Sequence, residues 1–157
     1  MNKYTVCFLF TPDLSKVLLC LKRKTIYEGR WNGVGGKFEN GESPWACARR
    51  EIKEETGCRL HPDELIWLGT TTLPTDCIAA SSGKHDVSIE LHFYAAIVDP
   101  VKVSQQEGEE LIDWHAVSGV AAAPFNNQWL AGDGDVQYWV GMGYAACRRA
   151  HGDFERK

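Results

Sequence analysis

The sequence lacks the patterns that hold a structural zinc ion or a disulfide framework. Its six cysteines stand at positions 7, 20, 47, 58, 77 and 147, so none forms a Cys-x-x-Cys pair, and the five histidines show no zinc spacing. It also lacks a signal-peptide pattern at its start and any apolar run long enough to span a membrane. These absences predict a cytoplasmic protein with reduced, buried thiols, although the even cysteine count leaves disulfides formally open.

A strong charge of either sign is also missing. The formal net charge is −4 over 157 residues, which argues against a protein that coats nucleic acid. An anionic ligand must therefore be met by local positive charge or by a metal ion. There is no internal repeat, low-complexity segment or linker between domains, and 44% of the residues are apolar, enough for one core. We predict a single domain over residues 1–157.

A predicted helix in the first half of the chain has clear signals at both ends. Ser43 is a suitable N-cap, and Pro44 suits the first helical position because its missing N–H is not needed there. Gly57 can adopt the left-handed conformation that ends a helix. The face expected to pack on the core carries three apolar side chains, Trp45, Ala48 and Ile52.

The same helix carries three carboxylates on one face. Glu51, Glu54 and Glu55 follow the i, i+3, i+4 spacing that brings side chains together. Like charges in this arrangement repel each other unless a cation lies among them, and oxygen ligands without Cys or His favour Mg²⁺, Mn²⁺ or Ca²⁺. The alternative is a solvated acidic face paired with basic side chains of the same helix.

Strand and helix patterns alternate along the rest of the chain. Residues 4–10, 16–21, 65–73, 87–98 and 111–117 are predicted strands, and residues 136–151 have helical spacing. Residues 104–110 are predicted to form an acidic loop, and residues 121–124 a linker. Strands that alternate with helices predict a layered α/β protein.

The stretch around the acidic helix resembles the Nudix box. That pattern is a Gly, five residues, Glu, seven residues, Arg-Glu, an aliphatic residue, any residue, Glu-Glu, any residue, Gly and an aliphatic residue. The positions that match in register are Gly36, Glu42, Arg50, Glu51, Ile52, Glu54, Glu55 and Gly57. Only Cys58 departs from it, in the last aliphatic position, where Cys packs as a small hydrophobe.

The resemblance implies both a fold and a site. The fold would be an α/β/α sandwich, with a mixed sheet between two main helices. Nudix hydrolases cleave a nucleoside diphosphate linked to another group, and they use divalent cations. By resemblance the catalytic metal ligands, for Mg²⁺ or Mn²⁺, would be Glu51, Glu54 and Glu55, with Glu51 equally able to act as a base. The Gly36 carbonyl would assist them, and Glu42 would form a structural ion pair with Arg50.

The glycine-rich run at residues 29–37 resembles the MutT-like branch of this family. These 8-oxo-dGTP diphosphatases carry a similar Trp-Asn-Gly-x-Gly-Gly-Lys run. By that resemblance Asn32 contacts the base or sugar of a nucleotide and Lys37 contacts its phosphates. Lys22 falls where the branch has a pocket lysine. The alternatives are a plain loop for the glycine run and a solvated strand end for Lys22.

Later positions complete the expected site. MutT-like enzymes place a further catalytic glutamate a few residues before a tryptophan, and Glu109 matches that spacing best. A solvated surface acid is the alternative for Glu109. Base contacts would come from Trp129, Asp133 and Asp135, although the two acids that are adjacent in the branch are separated by a glycine here.

The implied reaction converts a nucleoside triphosphate, such as 8-oxo-dGTP or a related purine, into the monophosphate and pyrophosphate. Pro74 falls where some ADP-ribose-cleaving Nudix enzymes carry a proline, so hydrolysis of ADP-ribose is one alternative. A non-catalytic Nudix domain that binds a nucleotide and regulates a partner is another. The expected partner is a small nucleotide, with no nucleic acid and no membrane, and the protein would be a monomer or a homodimer.

Overall fold

The structure of the chain, a computed structural model, describes residues 2–23, 29–73, 88–124, 129–131 and 135–155. The strands within them are β1 Asn2–Phe10, β2 Lys16–Leu21, β3 Trp31–Asn32, β4 Ile66–Leu73, β5 Ile89–Ile97 and β6 Ile112–Ala116. The α-helices within them are α1 Pro44–Thr56, α2 Val117–Ala122 and α3 Asp135–Glu155. Short 3₁₀ turns occur at Pro62–Glu64 and Pro100–Lys102.

All of these strands belong to one mixed sheet. The order is β3-β2-β1-β5-β4, and β6 pairs with β2. Strands β1 and β5 run parallel at the centre, from Asn2 opposite Ile89 to Phe10 opposite Ile97. The pairings β1–β2, β2–β6 and β4–β5 are antiparallel. The predicted strands are therefore present and combine in one sheet, as the fold prediction requires.

Helices cover both faces of the sheet. The side chains of β1 alternate between the two faces and so belong to two separate cores. Phe8 and Phe10 pack in the core that contains Val140 of α3. Leu9, on the opposite face, packs in the core that contains Ile52 of α1. The expected mixed sheet between two main helices is confirmed.

Helix α1 begins and ends where the sequence predicts. The Ser43 hydroxyl accepts a hydrogen bond from the N–H of Ala46 at 3.3 Å, which satisfies one of the free donors of the first turn. Gly57 has a φ of 78° and donates its N–H to the carbonyl of Lys53 at 2.9 Å. These caps fix the register in which the helix presents its glutamates.

The predicted core face of α1 was wrong at one residue. Ala48 and Ile52 are fully buried, but Trp45 is 44% exposed. Its ring lies 5.6 Å from the guanidinium carbon of Arg49, one turn along the helix, in a cation–π contact. The indole, in the first turn of the helix, therefore contacts a side chain of its own helix and remains partly open to solvent.

The predicted linker at residues 121–124 was also wrong, because its first two residues belong to α2. This helix follows β6 directly, and its N-cap residue, Ala116, makes no side-chain capping bond. Gly119 lies inside the helix, where glycine is unfavourable. Local sequence therefore gave no helix signal, and α2 depends on tertiary packing through the fully buried Val120.

The cysteines within the described ranges are all free and buried, namely Cys7, Cys20, Cys47, Cys58 and Cys147. This agrees with the prediction of reduced thiols, while Cys77 lies outside the described residues. Among the helices that the structure describes, none is long and apolar enough to cross a membrane.

Candidate active site

The first part of the site is the glycine-rich run, which lies against the sheet. Trp31–Asn32 pairs with β2, and the chain beyond it runs alongside β1. Cys7 donates its N–H to the carbonyl of Val34 at 2.6 Å, and Thr5 donates to the carbonyl of Gly36 at 2.9 Å. The run predicted as a loop is therefore held by sheet-like hydrogen bonds.

Two glycines make this close approach possible. A Cβ atom on Gly35 would stand 2.0 Å from the carbonyl oxygen of Thr5, so no larger residue fits against β1 there. A Cβ atom on Gly36 would stand 2.6 Å from a carboxylate oxygen of Glu51. The segment from Asn32 to Gly36 thus ends directly against the acidic face of α1.

The three glutamates of α1 differ sharply in exposure. Glu55 is only 4% exposed, and its Oε2 atom has no hydrogen-bond partner among the described residues. The side chain of Glu51 is 13% exposed, whereas that of Glu54 is 47% exposed. A buried carboxylate without a partner is costly unless positive charge compensates it.

The electrostatic environment of Glu55 also disfavours its ionised form. The pKa of Glu55 is raised to about 8, chiefly by burial, with smaller contributions from the neighbouring carboxylates Glu51, Glu110 and Glu109. The ammonium group of Lys22 acts in the opposite direction. Glu55 is therefore surrounded by more negative than positive charge.

Arg50 organises the other carboxylates around it. Its guanidinium donates to Glu42 at 2.7 and 2.9 Å, to Glu51 at 2.9 Å and to Glu54 at 3.2 Å. A further hydrogen bond to the carbonyl of Lys37, at 3.0 Å, ties the glycine segment to the helix. The hydrogen bonds from Arg50 lower the pKa of Glu42 to about 2. The ion pair expected between Glu42 and Arg50 is present.

The residues of this face fit a hard divalent cation. Within the described part of the chain no three carboxylate, thiol or imidazole groups converge into a ready-made metal cluster. The positions of Glu51 and Glu54 account for this, because both carboxylates are turned to Arg50. The unpartnered oxygen of Glu55 and an all-oxygen donor set suit Mg²⁺ or Mn²⁺.

A cleft lies at the other end of the glycine segment. Its described lining residues are Asn32, Thr71, Leu91, Phe93, Ala131, Asp135, Val136 and Trp139. The ring of Trp139 is stacked on that of Phe93, with centroids 3.9 Å apart and an interplanar angle of 6°. Such a mostly apolar cleft with a few polar groups is typical of a small-molecule site.

Asn32 and Asp135 were expected at the nucleoside end, and the structure brings both to this cleft. The sequence reasoning missed Thr71, Phe93 and Trp139. Alternation within each strand indicates which face Thr71 and Phe93 share. The register of β4 against β5, shifted by an irregularity between Trp67 and Gly69, was not visible in the sequence.

Comparison with known proteins decides the family. A family model of the NUDIX domain matches residues 1–132. The chain belongs to the NUDIX family. An oxidized purine nucleoside triphosphate hydrolase of Mus musculus is 32% identical over 137 residues, which cover 87% of this chain and 75% of that protein. An uncharacterized Nudix hydrolase of Bacillus subtilis is 31% identical over 98% of this chain and 86% of its own length.

A solved structure shows the same fold. The dihydroneopterin triphosphate pyrophosphohydrolase of E. coli superposes with a TM-score of 0.66 over 92% of this chain and 95% of that one. At 16% identity this likeness concerns the fold alone. The Nudix resemblance read from the box residues is therefore confirmed by sequence and by architecture.

A second acidic element of this Nudix domain faces the helix. Glu109, the predicted late-loop acid, and its neighbour Glu110 both raise the pKa of Glu55, so both lie within electrostatic reach of it. The Glu110 carboxylate accepts a hydrogen bond from the N–H of Arg23. The amide of Gln105 donates to the carbonyls of Glu109 and Glu110, at 3.4 and 2.9 Å. Sequence spacing favoured Glu109 over its neighbour Glu110, and it did not identify Gln105.

The remaining predicted site residues differ in burial and in their distance from the site. Lys22 is buried and close enough to Glu55 to affect its pKa, whereas Lys37 is exposed. Trp129 is outside the described lining of the cleft, and its ring is stacked at 5.9 Å on that of His115. Asp133 lies outside the described residues. A base-stacking role for Trp129 stays a prediction.

Gly36→Ala is expected to leave the fold intact and to lower turnover by about tenfold or more. The three atoms nearest to the new methyl group all belong to the end of the flexible Glu51 side chain, so we expect the carboxylate to move and the backbone to stay. Steady-state rates and melting temperature are compared with Gly141→Ala, a helical position with no atom within 4 Å of the added carbon. Equal rates for both variants would contradict a site at the contact between Gly36 and Glu51.

Proposed function

We propose that this Nudix protein is a metal-dependent hydrolase that converts a purine nucleoside triphosphate into the monophosphate and pyrophosphate, with 8-oxo-dGTP among its candidate substrates. One observation carries the proposal. Asn32, which begins the glycine segment, lines the apolar cleft, and Gly36, which ends it, lies against Glu51. Four residues of extended chain span about 13 Å, the scale of a nucleotide. A nucleotide along this segment places its base in the cleft and its phosphates at the glutamates.

The phosphate end is served by the acidic face of α1. Glu51, Glu54 and Glu55 are the proposed ligands for Mg²⁺ or Mn²⁺, and the Gly36 carbonyl is the proposed assisting oxygen. A bound divalent cation supplies charge neutralisation at phosphoryl oxygens and lowers the pKa of water. Arg50 keeps the loop and the helix in register, because it bonds to both.

The nucleoside end is served by polar side chains around the cleft. The Oδ1 atom of Asn32 accepts the N–H of Gly33 at 2.7 Å, so its amide N–H group is the part that faces a ligand. Asp135, Asp133 and Trp129 are proposed base contacts. In the remaining proposed roles Lys22 and Lys37 contact phosphate, and Glu109 is a further catalytic acid.

The comparison with relatives favours a triphosphate over ADP-ribose. The murine relative is described as acting on oxidized purine nucleoside triphosphates, and it aligns with most of this chain. Pro74, the residue that suggested ADP-ribose, lies outside the described residues. All the box glutamates are present, which favours an enzyme over a regulatory binding domain.

We further propose a cytoplasmic protein that acts as a single domain, either as a monomer or as a homodimer. It is proposed to bind neither nucleic acid nor membranes.

With a panel of substrates and Mg²⁺, we expect the highest kcat/KM for a purine nucleoside triphosphate. The products should be the monophosphate and pyrophosphate, because the proposed site places the base in the cleft and the phosphate chain at the glutamates. The panel contains dGTP, 8-oxo-dGTP, dATP, dCTP, ADP-ribose and a dinucleoside polyphosphate, with products separated by anion exchange. Rapid cleavage of ADP-ribose with inert triphosphates would overturn the proposal. Binding without cleavage of any member would indicate a regulatory domain.

A further inference from the structure

Few of the described side chains that line the cleft are polar, and one of them has no assigned role. Among the described lining residues five are apolar, and the polar ones are Asn32, Asp135 and Thr71. Asn32 and Asp135 were expected from the resemblance, but Thr71 was not. In a cleft of this kind the few polar groups set the orientation and choice of ligand. Thr71 therefore stands where selectivity is decided.

The side chain of Thr71 faces the cleft because of its position in the sheet. It pairs with Leu91 of β5, which also lines the cleft, whereas its neighbours Thr70 and Thr72 are exposed on the opposite face of β4. Its hydroxyl makes no hydrogen bond to any residue that the structure describes. A hydroxyl that lines an apolar cleft without a protein partner is available to a ligand.

Asn32 and Thr71 approach the cleft from opposite sides. In the strand order β3-β2-β1-β5-β4, Asn32 lies on β3, Thr71 lies on β4, and β5 lies between them with Leu91 and Phe93. A flat ring between the two sides of the cleft presents one edge to the Asn32 amide and another edge to the Thr71 hydroxyl. A bicyclic base with polar atoms on two edges can satisfy both.

We propose that Thr71 is a specificity-determining residue, whose hydroxyl hydrogen-bonds to a ring or exocyclic polar atom of a purine base on the edge remote from Asn32. This inference rests on the proposed triphosphate hydrolysis and deepens it, because it names the group that separates purine substrates from others. A hydroxyl left without its partner disfavours any base that does not supply one.

The competing explanation is that threonine serves the strand alone. Thr70, Thr71 and Thr72 are consecutive, and β-branched residues favour strands. The substitution Thr71→Val separates the two explanations, since valine keeps the shape and the strand preference and removes only the hydroxyl. Thr72→Val makes the same change on the exposed face of the same strand and is the matched control. Thr71→Ser restores a hydroxyl.

The experiment measures kcat and KM of each variant for the preferred purine triphosphate and for dCTP, with Mg²⁺ in excess. Thr71→Val should lower the purine-to-dCTP ratio of kcat/KM by about tenfold, through a higher KM for the purine and little change in kcat. Thr71→Ser should recover most of the ratio, and Thr72→Val should match wild type.

Two results would overturn the inference while wild type remains active. One is a ratio in Thr71→Val within twofold of wild type, and the other is an equal loss for both triphosphates, which marks a structural role. A wild-type protein that cleaves no nucleoside triphosphate is a different result, because it overturns the proposed function and this inference with it.

Discussion

Glu55→Gln is expected to lower turnover by at least about a hundredfold and, at the same time, to stabilise the metal-free protein. The loss of rate follows because the variant removes a charged ligand from the proposed cation site, and groups that stabilise charge in this way contribute on that scale. The gain in stability follows because Glu55 is buried, one of its oxygens has no partner among the described residues, and neighbouring carboxylates repel it. A purely structural carboxylate would show the reverse pattern.

The gain in stability has a defined dependence on pH. The folded-state pKa of Glu55, about 8, lies above the ordinary value for glutamate, so ionisation of this group opposes folding. The free energy of unfolding of wild type therefore falls as the pH rises from about 5 through 8. The variant does not show this fall, because glutamine cannot ionise. The difference in melting temperature between Glu55→Gln and wild type, measured in EDTA, should widen over that window.

The control for this experiment is Glu107→Gln, which removes a carboxylate from an exposed position in the acidic loop. It should keep wild-type turnover and a wild-type melting temperature at every pH. If Glu55→Gln keeps its activity and melts below wild type in the absence of metal, Glu55 supports the fold and the assignment of the site is wrong.

Removal of metal should abolish activity completely. Among the described residues no lysine or arginine hydrogen-bonds to the unpartnered oxygen of Glu55. The carboxylates of the acidic face offer only oxygen atoms as ligands, which suits a divalent cation. Protein passed over a chelating resin and assayed in excess EDTA should show no turnover above the uncatalysed rate. Mg²⁺ or Mn²⁺ in excess of the chelator should restore turnover fully.

Titration of the metal-free protein with Mn²⁺, followed by electron paramagnetic resonance, supplies a second measurement of this site. Wild type should bind Mn²⁺, and Glu55→Gln should bind it much more weakly, with both proteins fully folded. Full turnover by stripped protein in EDTA would contradict the proposal outright.

Local sequence signals predicted both ends of α1 correctly. Ser43, Pro44 and Gly57 each act through nearby backbone, so their effect can be predicted without knowledge of the tertiary structure. The glutamates are spaced i, i+3, i+4 in the sequence, and helix geometry alone then predicts that they share one face. The ion pair of Glu42 with Arg50 was implied by the resemblance, and it forms because Arg50 spans the loop and the helix.

Features that depend on packing between distant segments were missed. Helix α2 has no cap and contains a glycine, so its stability comes from the burial of Val120. The exposure of Trp45 was not indicated by the spacing of the apolar residues along α1. The cleft depends on the pairing of β4 with β5 and on the approach of α3, none of which a single strand reveals. Thr71 and Trp139 could not be assigned to it from spacing.

The position of label after hydrolysis in ¹⁸O water gives the most direct test of the proposed site. With the base of a purine triphosphate in the cleft and its phosphates at Glu51, Glu54 and Glu55, we expect water to attack the β-phosphorus and the monophosphate to leave. Mass spectrometry of the products of the preferred triphosphate should then find ¹⁸O in pyrophosphate and none in the monophosphate. Label in the monophosphate, or release of single phosphate ions, would contradict it.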